Sequence, residues 1–275
     1  MNQCVLSDTS ALVLLWSDES CYPGRQAQSY LGRLSLKAGE RLYCQCNNVW
    51  NNYNEVIINR KTGIAYLASK TITKHHISQV VIPGAGLAPL DVDLISRHTP
   101  GDMEIFSVDL ENMPLKSKLL DGLHDNNMSR IHCVTANIND ISAVDAQLKK
   151  NGYDKNKSTL IIMEGISYYL PIVNLKNIVT YFKNNSGEAS FILEYLVPNV
   201  DIQESRRHIP EGVFEIIRQS CGLPVITRLN EKLISASFGC AVKERFTLHD
   251  LEKLRTKGNR HFPQPDSGWI EVCRF

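Results

Sequence analysis

Hydrophobic and polar positions follow two different patterns along the chain. Up to about residue 75, apolar residues recur irregularly at helical spacing, and an asparagine-rich stretch at 47–54 predicts a loop. From residue 79 onwards, short apolar runs alternate with amphipathic stretches. The runs predict strands at 79–83, 104–108, 130–136, 159–164 and 189–195. The stretches between them predict helices, including one at 170–182.

Strands that alternate with helices form a parallel sheet with helices on both faces. The alternation breaks after Pro198, where a polar stretch leads into helical segments. Two apolar segments follow at 240–246 and 269–275, and they flank a helix that Thr247 and Asp250 open with a capping-box pattern. We expect these segments to pair as an antiparallel hairpin at the edge of the sheet. The predicted fold is α/β, a doubly wound, mostly parallel, seven-stranded Rossmann-like sheet with an antiparallel C-terminal edge strand.

The same patterns predict a single domain with four parts. A helical N-terminal extension covers residues 1–75, and a nucleotide-binding core covers 76–196. A helical cap insertion follows at 197–235, and strands and a helix complete the chain at 236–275.

A glycine turn at the end of the first core strand is the clearest functional signal. The run 80–83 stops at Gly84-Ala85-Gly86, and the next apolar run stops at Asp109. Glycines allow a ligand to approach the backbone, and a carboxylate at the end of the next strand can hold both ribose hydroxyls. Pro89 stands where a dinucleotide fingerprint needs a third small residue, so a nucleoside without a diphosphate is favoured. The alternative is a tight turn that binds nothing.

Polar residues also end the later strands, and strand ends converge on one edge of such a sheet. Asn137 is placed to bind an adenine amino group, and Ile138 to cover the ring. Glu164 closes a buried run, where a carboxylate is costly unless it meets a cation or a donor. The ammonium of S-adenosylmethionine (SAM) would serve, whereas a helix-capping role is the alternative.

Bulk properties exclude several classes of protein. The 275 residues carry 30 basic and 29 acidic side chains, so no charge bias indicates binding to nucleic acid or a membrane. The apolar stretch 11–16 lacks the basic flank of a signal peptide, which predicts a cytoplasmic protein. The eight cysteines are then expected to be reduced thiols, and no metal site is predicted because nothing completes the Cys44–Cys46 pair.

Four segments together resemble the leucine carboxyl methyltransferase family, which includes tetracenomycin-type polyketide O-methyltransferases. They are IINR at 57–60, VVIPGAGLAPLDVDL at 80–94, FSVDL at 106–110 and STLIIMEGISYYLP at 158–171. The resemblance runs from 59 to 171 and is looser over 212–246. It implies a class I SAM-dependent methyltransferase with extra N-terminal helices and a cap over a small-molecule substrate.

The resemblance also implies roles for single residues. Gly84, Ala85 and Gly86 would contact the methionine part of SAM, and Glu164 would lie at its methionyl end. Asp109 would hold the ribose, and Asn137 and Ile138 the adenine.

The chain departs from the family pattern at three positions. Ala65 stands near the position of the arginine that clamps the methionine carboxylate, so Arg60 or Lys61 is a candidate substitute. Ala88 and Asn137 each replace an aspartate of the family pattern.

The candidates that face the methyl acceptor are Tyr168 and Tyr169 after the fourth strand and Glu194 and Tyr195 after the fifth, although one tyrosine of each pair is expected to pack in the core. A tyrosine face also stabilises a sulfonium by a cation–π contact. Arg206-Arg207-His208 in the cap is a further candidate for attracting an anionic acceptor, or a solvated surface.

The resemblance implies methylation of a hydroxyl or carboxylate of a small molecule in secondary metabolism. One alternative is a cyclase that converts SAM to azetidine-2-carboxylate and methylthioadenosine. A second alternative is a SAM-binding protein without catalytic activity. The sequence leaves the acceptor and the oligomeric state open.

Overall fold

The computed structural model describes residues 4–98, 103–222 and 226–275. Two short strands near the N-terminus form a small parallel sheet, and seven strands form the central sheet. The strands are β1 (Cys4–Val5), β2 (Leu34–Ser35), β3 (Gln79–Pro83), β4 (Glu104–Asp109), β5 (Ile131–Thr135), β6 (Ser158–Met163), β7 (Glu188–Leu196), β8 (Glu244–Thr247) and β9 (Ile270–Arg274).

Eleven helices occur among these residues. They are α1 (Asp8–Leu15), α2 (Arg25–Leu31), α3 (Glu40–Val49), α4 (Tyr53–His75), α5 (Leu90–Arg97), α6 (Met113–Asp121), α7 (Ile141–Lys150), α8 (Ile172–Asn184), α9 (His208–Cys221), α10 (Glu231–Phe238) and α11 (Leu248–Thr256). Within the described ranges, every helix is too short or too polar to cross a lipid bilayer.

The central sheet confirms the predicted fold class. Its strand order is β5-β4-β3-β6-β7-β9-β8, and β9 is antiparallel to both of its neighbours. The two C-terminal segments pair as expected, with β8 outermost and β9 between it and β7. The chain order reverses between β3 and β6, and ligands of open α/β sheets bind at such a switch point.

Both faces of the sheet are covered, which explains why the core strands are almost continuously apolar. Successive residues of β3 point to opposite sides, so that Val81 joins one hydrophobic cluster and Val80 the other. The same alternation divides Phe106 from Ile105 in β4, and Ile161 from Leu160 in β6.

Local sequence signals explain several helix boundaries. The Asp140 side chain accepts a hydrogen bond from the backbone N–H of Ala143 and caps α7. Thr247 and Asp250 form the predicted capping box at the start of α11.

The N-terminal region differs from the prediction in two respects. The strands β1 and β2 were not expected there. The predicted loop at 47–54 is wrong for most of its length, because α3 continues to Val49 and α4 begins at Tyr53. The asparagine side chains do not end α3, since Asn47 accepts a hydrogen bond from the Trp16 indole at 3.1 Å. A tertiary contact therefore outweighs the weak helix propensity of asparagine.

Helix α1 packs closely on the backbone turn before α3. A Cβ atom built on Gly39 would lie 2.5 Å from the Leu12 backbone nitrogen and 2.7 Å from the Ala11 carbonyl carbon. Because the obstructing atoms are backbone, no side-chain rotation can relieve the clash, and α1 itself would have to move.

We therefore predict that Gly39→Ala lowers the free energy of unfolding by about 1–3 kcal/mol, the usual cost of overpacking. Urea denaturation measures the change. Gly258→Ala is the matched control, because a Cβ there meets no atom within 4 Å, and it is expected to change stability by less than about 0.5 kcal/mol. Equal stability of the two variants would contradict the close packing of α1.

Candidate active site

A cavity of about 200 Å³ opens beside the carboxyl ends of β3 and β6, at the switch point of the sheet. The turn after β3 and the segment after β6 form its floor. Helices α1 and α4 form walls, and α6 and α9 each contribute one residue. The lining residues are Thr9, Ser10, Leu12, Val13, Leu14, Arg60, Lys61, Ile82, Gly84, Ala85, Gly86, Leu87, Ala88, Leu90, Lys116, Glu164, Gly165, Tyr168, Tyr169 and Ile217.

The glycine turn is held by the neighbouring strand. The backbone N–H groups of Gly84 and Ala85 both donate to the Val108 carbonyl, and that of Gly86 donates to the Asp109 carboxylate at 3.1 Å. Gly84 and Gly86 have φ angles of 68° and 51°, which glycine adopts without a steric cost. A Cβ on Gly84 would lie 2.5 Å from the Ile166 side chain, whereas one on Gly86 would meet nothing within 4 Å. The turn is therefore open at Gly86.

Lys116 contacts the backbone of this turn through its ammonium group. It was not among the predicted site residues. Its ammonium lies 2.6 Å from the Asp91 carboxylate and donates to the carbonyl of Ala88 at 2.9 Å. Asp91 also accepts a hydrogen bond from the Ser107 hydroxyl at 2.6 Å. Lys116 stands at helical spacing from the buried Met113 and Leu120, but lysines are ordinarily exposed, so the sequence does not indicate its buried partners.

Helix α4 directs two adjacent cations to two different strand ends. The Arg60 guanidinium lies 2.6 Å from the Glu194 carboxylate and donates to the Tyr168 hydroxyl at 2.9 Å. Glu194 also accepts from the Gly165 backbone N–H at 3.0 Å. The Lys61 ammonium lies 2.6 Å from the Glu164 carboxylate, and it donates to the Tyr22 hydroxyl at 2.6 Å.

Burial raises the pKa values of the Glu164 and Glu194 carboxyls, whereas the neighbouring cations lower them. Burial raises the pKa of Glu164, but the charges of Lys61 and Arg60 outweigh it and hold that pKa below its ordinary value. For Glu194, burial is the larger effect and raises the pKa, against the lowering by Arg60. Burial also raises the pKa of Tyr168 well above its ordinary value, so this phenol keeps its proton.

Most of the predicted residues lie around this one cavity. Arg60, Gly84, Ala85, Gly86, Glu164, Tyr168 and Tyr169 line it, and Asp109 adjoins it through its hydrogen bond to Gly86. Glu194 is fully buried behind Arg60 and is not a lining residue.

The two predicted adenine residues lie outside the cavity. Asn137 is exposed, and its side chain accepts a hydrogen bond from the backbone N–H of Asn139 at 3.0 Å. Ile138 borders a separate small apolar pocket with Val81 and Val108. Both follow β5, which is two strands away from β3.

Arg206, Arg207 and His208 are not among the residues that line the cavity, so a role for them in attracting an acceptor is not supported. The Arg206 guanidinium lies 5.1 Å from the Trp50 ring and 5.4 Å from the Phe262 ring, and it donates to the His261 carbonyl. Arg207 donates to the Ile202 carbonyl. Ala65 also lies outside the cavity, in a groove along the outer side of α4.

The family model described as leucine carboxyl methyltransferase matches residues 13–182, which is more than half of the chain. The chain belongs to the leucine carboxyl methyltransferase family. This confirms the resemblance of the four sequence segments. No curated protein matches the chain in a sequence search.

Solved structures agree in fold over almost the full length. A candidate methyltransferase from Thermobifida fusca YX superposes with a TM-score of 0.63 at 16% identity, covering 98% of this chain and 94% of the other. A DUF574 family protein from Streptomyces avermitilis MA-4680 gives a TM-score of 0.64 at 14% identity, covering 98% and 97%. At these identities the likeness establishes the fold alone.

Membership in the leucine carboxyl methyltransferase family makes this chain a SAM-dependent methyltransferase with SAM as its cofactor. The cavity fits such a ligand in two respects. The space beside Gly86 is open, and cationic and anionic groups of α4 and β6 meet on one wall, as a zwitterionic amino-acid group requires.

We predict that Gly86→Ala lowers the affinity for SAM by about tenfold or more, which corresponds to about 1.4 kcal/mol. The added methyl group would project into the open space beside the turn, and the backbone strain at φ 51° costs about 1–2 kcal/mol in stability. Isothermal titration calorimetry measures the affinity. Gly152→Ala has the same kind of strain at φ 90° in a distant loop, so it should lose stability but bind SAM normally. Equal affinities of the two variants would contradict the prediction.

The stability of the fold is expected to depend on pH through the ionisation of Glu164. Because the folded-state pKa of Glu164 is lowered, its ionised form stabilises the fold above the ordinary value of 4.5, and this contribution is lost as pH falls through the folded-state pKa. We expect Glu164→Gln to cost about 3 kcal/mol at neutral pH, because it leaves Lys61 buried without its partner. The difference from wild type should shrink below pH 4.5 in urea titrations. Glu215→Gln removes an exposed ion pair and should change stability little at any pH.

Proposed function

We propose that the chain transfers the methyl group of SAM to a carboxylate or hydroxyl oxygen of a small molecule, with a carboxylate favoured, as one domain over residues 1–275. The observation that carries this proposal is the open glycine turn facing Glu164, Arg60 and Lys61 across one cavity. SAM supplies a methyl group that is already activated on a sulfonium.

The residues that bind the cofactor lie at or just after the carboxyl ends of the strands. Gly84, Ala85 and Gly86 contact the methionyl part with their backbone. Glu164 lies at its charged end, and Arg60 lines the cofactor site beside it. Asp109 holds the ribose hydroxyls. Asn137 and Ile138 contact the adenine from the end of β5. The hydrogen bonds that the turn donates to the Asp109 carboxylate and to the Val108 carbonyl support this order of contacts along the sheet edge.

The choice between the two acceptors depends on a general base. Among the described lining residues there is no histidine, aspartate or cysteine. The Glu164 carboxylate is ion-paired with Lys61, which makes it a weak base, and the Tyr168 phenol keeps its proton. A hydroxyl acceptor must lose a proton during transfer, whereas a carboxylate is already ionised at neutral pH. The composition of the cavity therefore favours a carboxylate acceptor.

The remaining cavity residues define the acceptor side. Val13 of α1 and Ile217 of α9 give it apolar walls, and Tyr169 lies beside Tyr168 with ring centroids 4.6 Å apart. We infer that Tyr169 contacts the acceptor and the sulfonium, and that Tyr168 and Glu194 orient Arg60. A cavity of this size with apolar walls suits a small metabolite, and the family resemblance to polyketide O-methyltransferases supports a role in secondary metabolism.

The test is to incubate the purified protein with SAM alone and with a panel of small aliphatic and aromatic carboxylic acids and phenols. Mass spectrometry identifies the products. We expect S-adenosylhomocysteine together with methyl esters, at a rate that changes little between about pH 6 and pH 9 because no base titrates. Methyl ethers formed with a steep loss of rate at low pH would favour the hydroxyl reaction. Methylthioadenosine formed from SAM alone would overturn methyl transfer and favour the cyclase.

A further inference from the structure

The ion pair between Lys61 and Glu164 differs from the other two ion pairs beside the cavity. The carboxylate of Glu194 compensates the charge of Arg60, and that of Asp91 compensates the charge of Lys116. Among the described residues, neither of these two acids lines the cavity, whereas both Lys61 and Glu164 do. The Lys61–Glu164 pair therefore presents a positive and a negative charge side by side to any bound molecule.

Lys61 is held in place by a residue from outside the nucleotide-binding core. The Tyr22 hydroxyl accepts a hydrogen bond from the Lys61 ammonium at 2.6 Å, and the ammonium lies 5.1 Å from the centre of the Tyr22 ring. Tyr22 is fully buried in the segment between α1 and α2. A lysine side chain has many rotamers, so contacts with Glu164 and Tyr22 on two sides are needed to fix the position of its charge.

The charges allow one class of ligand group to bind without leaving a buried charge uncompensated. Lys61 and Glu164 are both almost fully buried, and separating them alone would be costly. When a zwitterionic amino-acid group binds against the pair, its carboxylate compensates the charge of Lys61 and its ammonium compensates the charge of Glu164. A group with an ammonium alone would compensate Glu164 but would bring an extra positive charge close to Lys61.

We propose that Lys61, positioned by Tyr22, binds the α-carboxylate of the cofactor while Glu164 binds its ammonium, so that this pair selects SAM over sulfonium analogues without a carboxylate. This inference rests on the proposed function. It makes the N-terminal segment part of cofactor recognition, through a residue that precedes the first core strand by more than fifty positions.

The experiment compares three probes by isothermal titration calorimetry. They are SAM, decarboxylated SAM, which lacks only the carboxylate, and methylthioadenosine, a neutral thioether that lacks both the amino-acid group and the sulfonium charge. The wild-type protein should bind SAM about tenfold more tightly than decarboxylated SAM, as expected for a charged hydrogen bond. In Lys61→Met this ratio should fall close to one, while the affinity for methylthioadenosine stays unchanged. Tyr22→Phe should give an intermediate ratio.

Two further variants keep the test falsifiable. Lys61→Met leaves Glu164 unpaired and can destabilise the fold, so the double variant Lys61→Met/Glu164→Gln removes both charges together. It should bind methylthioadenosine like wild type and show no preference for the carboxylate. Lys70→Met is the matched control, since Lys70 lies on the same helix and pairs with Glu244 away from the cavity. It should retain the wild-type ratio.

Three results would overturn the inference. The first is a wild-type ratio in either Lys61 variant. The second is an equal loss of affinity for all three probes, which would make Lys61 a purely structural residue. The third is a wild-type protein that binds SAM and decarboxylated SAM equally well, which would leave the proposed function intact. A wild-type protein that binds none of the probes would instead overturn the proposed function and this inference together.

Discussion

The pairing of two adjacent cations on α4 with two acids of the sheet is the interaction on which the site depends. Consecutive residues of a helix point about 100° apart, so Arg60 and Lys61 reach different strands. Arg60 meets Glu194 of β7, and Lys61 meets Glu164 at the end of β6. Because buried charges are costly without partners, these contacts fix the rotation and height of α4 relative to the sheet. Both cations and Glu164 line the cavity, whereas Glu194 does not.

The fold was largely predictable because its signals are local. Buried parallel strands are short apolar runs, and each ends at a residue that the pattern identifies, such as Gly84, Asp109 or Glu164. The capping residues Asp140 and Thr247 are likewise readable, since a cap depends on a few neighbouring positions. The asparagine-rich stretch misled the prediction because the contact of Asn47 with Trp16 is not visible in the sequence.

The site was predictable only in part. The turn, Glu164 and Tyr168 follow from strand ends, whereas Tyr22 and Lys116 act through partners far away in the sequence. Lys116 lies on the buried side of α6 with Met113 and Leu120, unlike the exposed Lys118, but the spacing does not show which groups compensate its charge. Arg206 shows the opposite case, because a basic run that is typical of a solvated surface places one guanidinium against three aromatic rings. Arg206 thereby packs the segment before α9 against Trp50, Phe262 and Trp269.

The two ion pairs of α4 also determine when the site can form during synthesis. Arg60 lies 134 residues before Glu194, and Lys61 lies 103 residues before Glu164. Helix α4 therefore leaves the ribosome long before its partners exist, and both cations remain in water until β6 and β7 have been made. Contacts of such long sequence separation form late and slow the folding of a domain. The complete site can therefore form only after β7, which carries Glu194, has been synthesised.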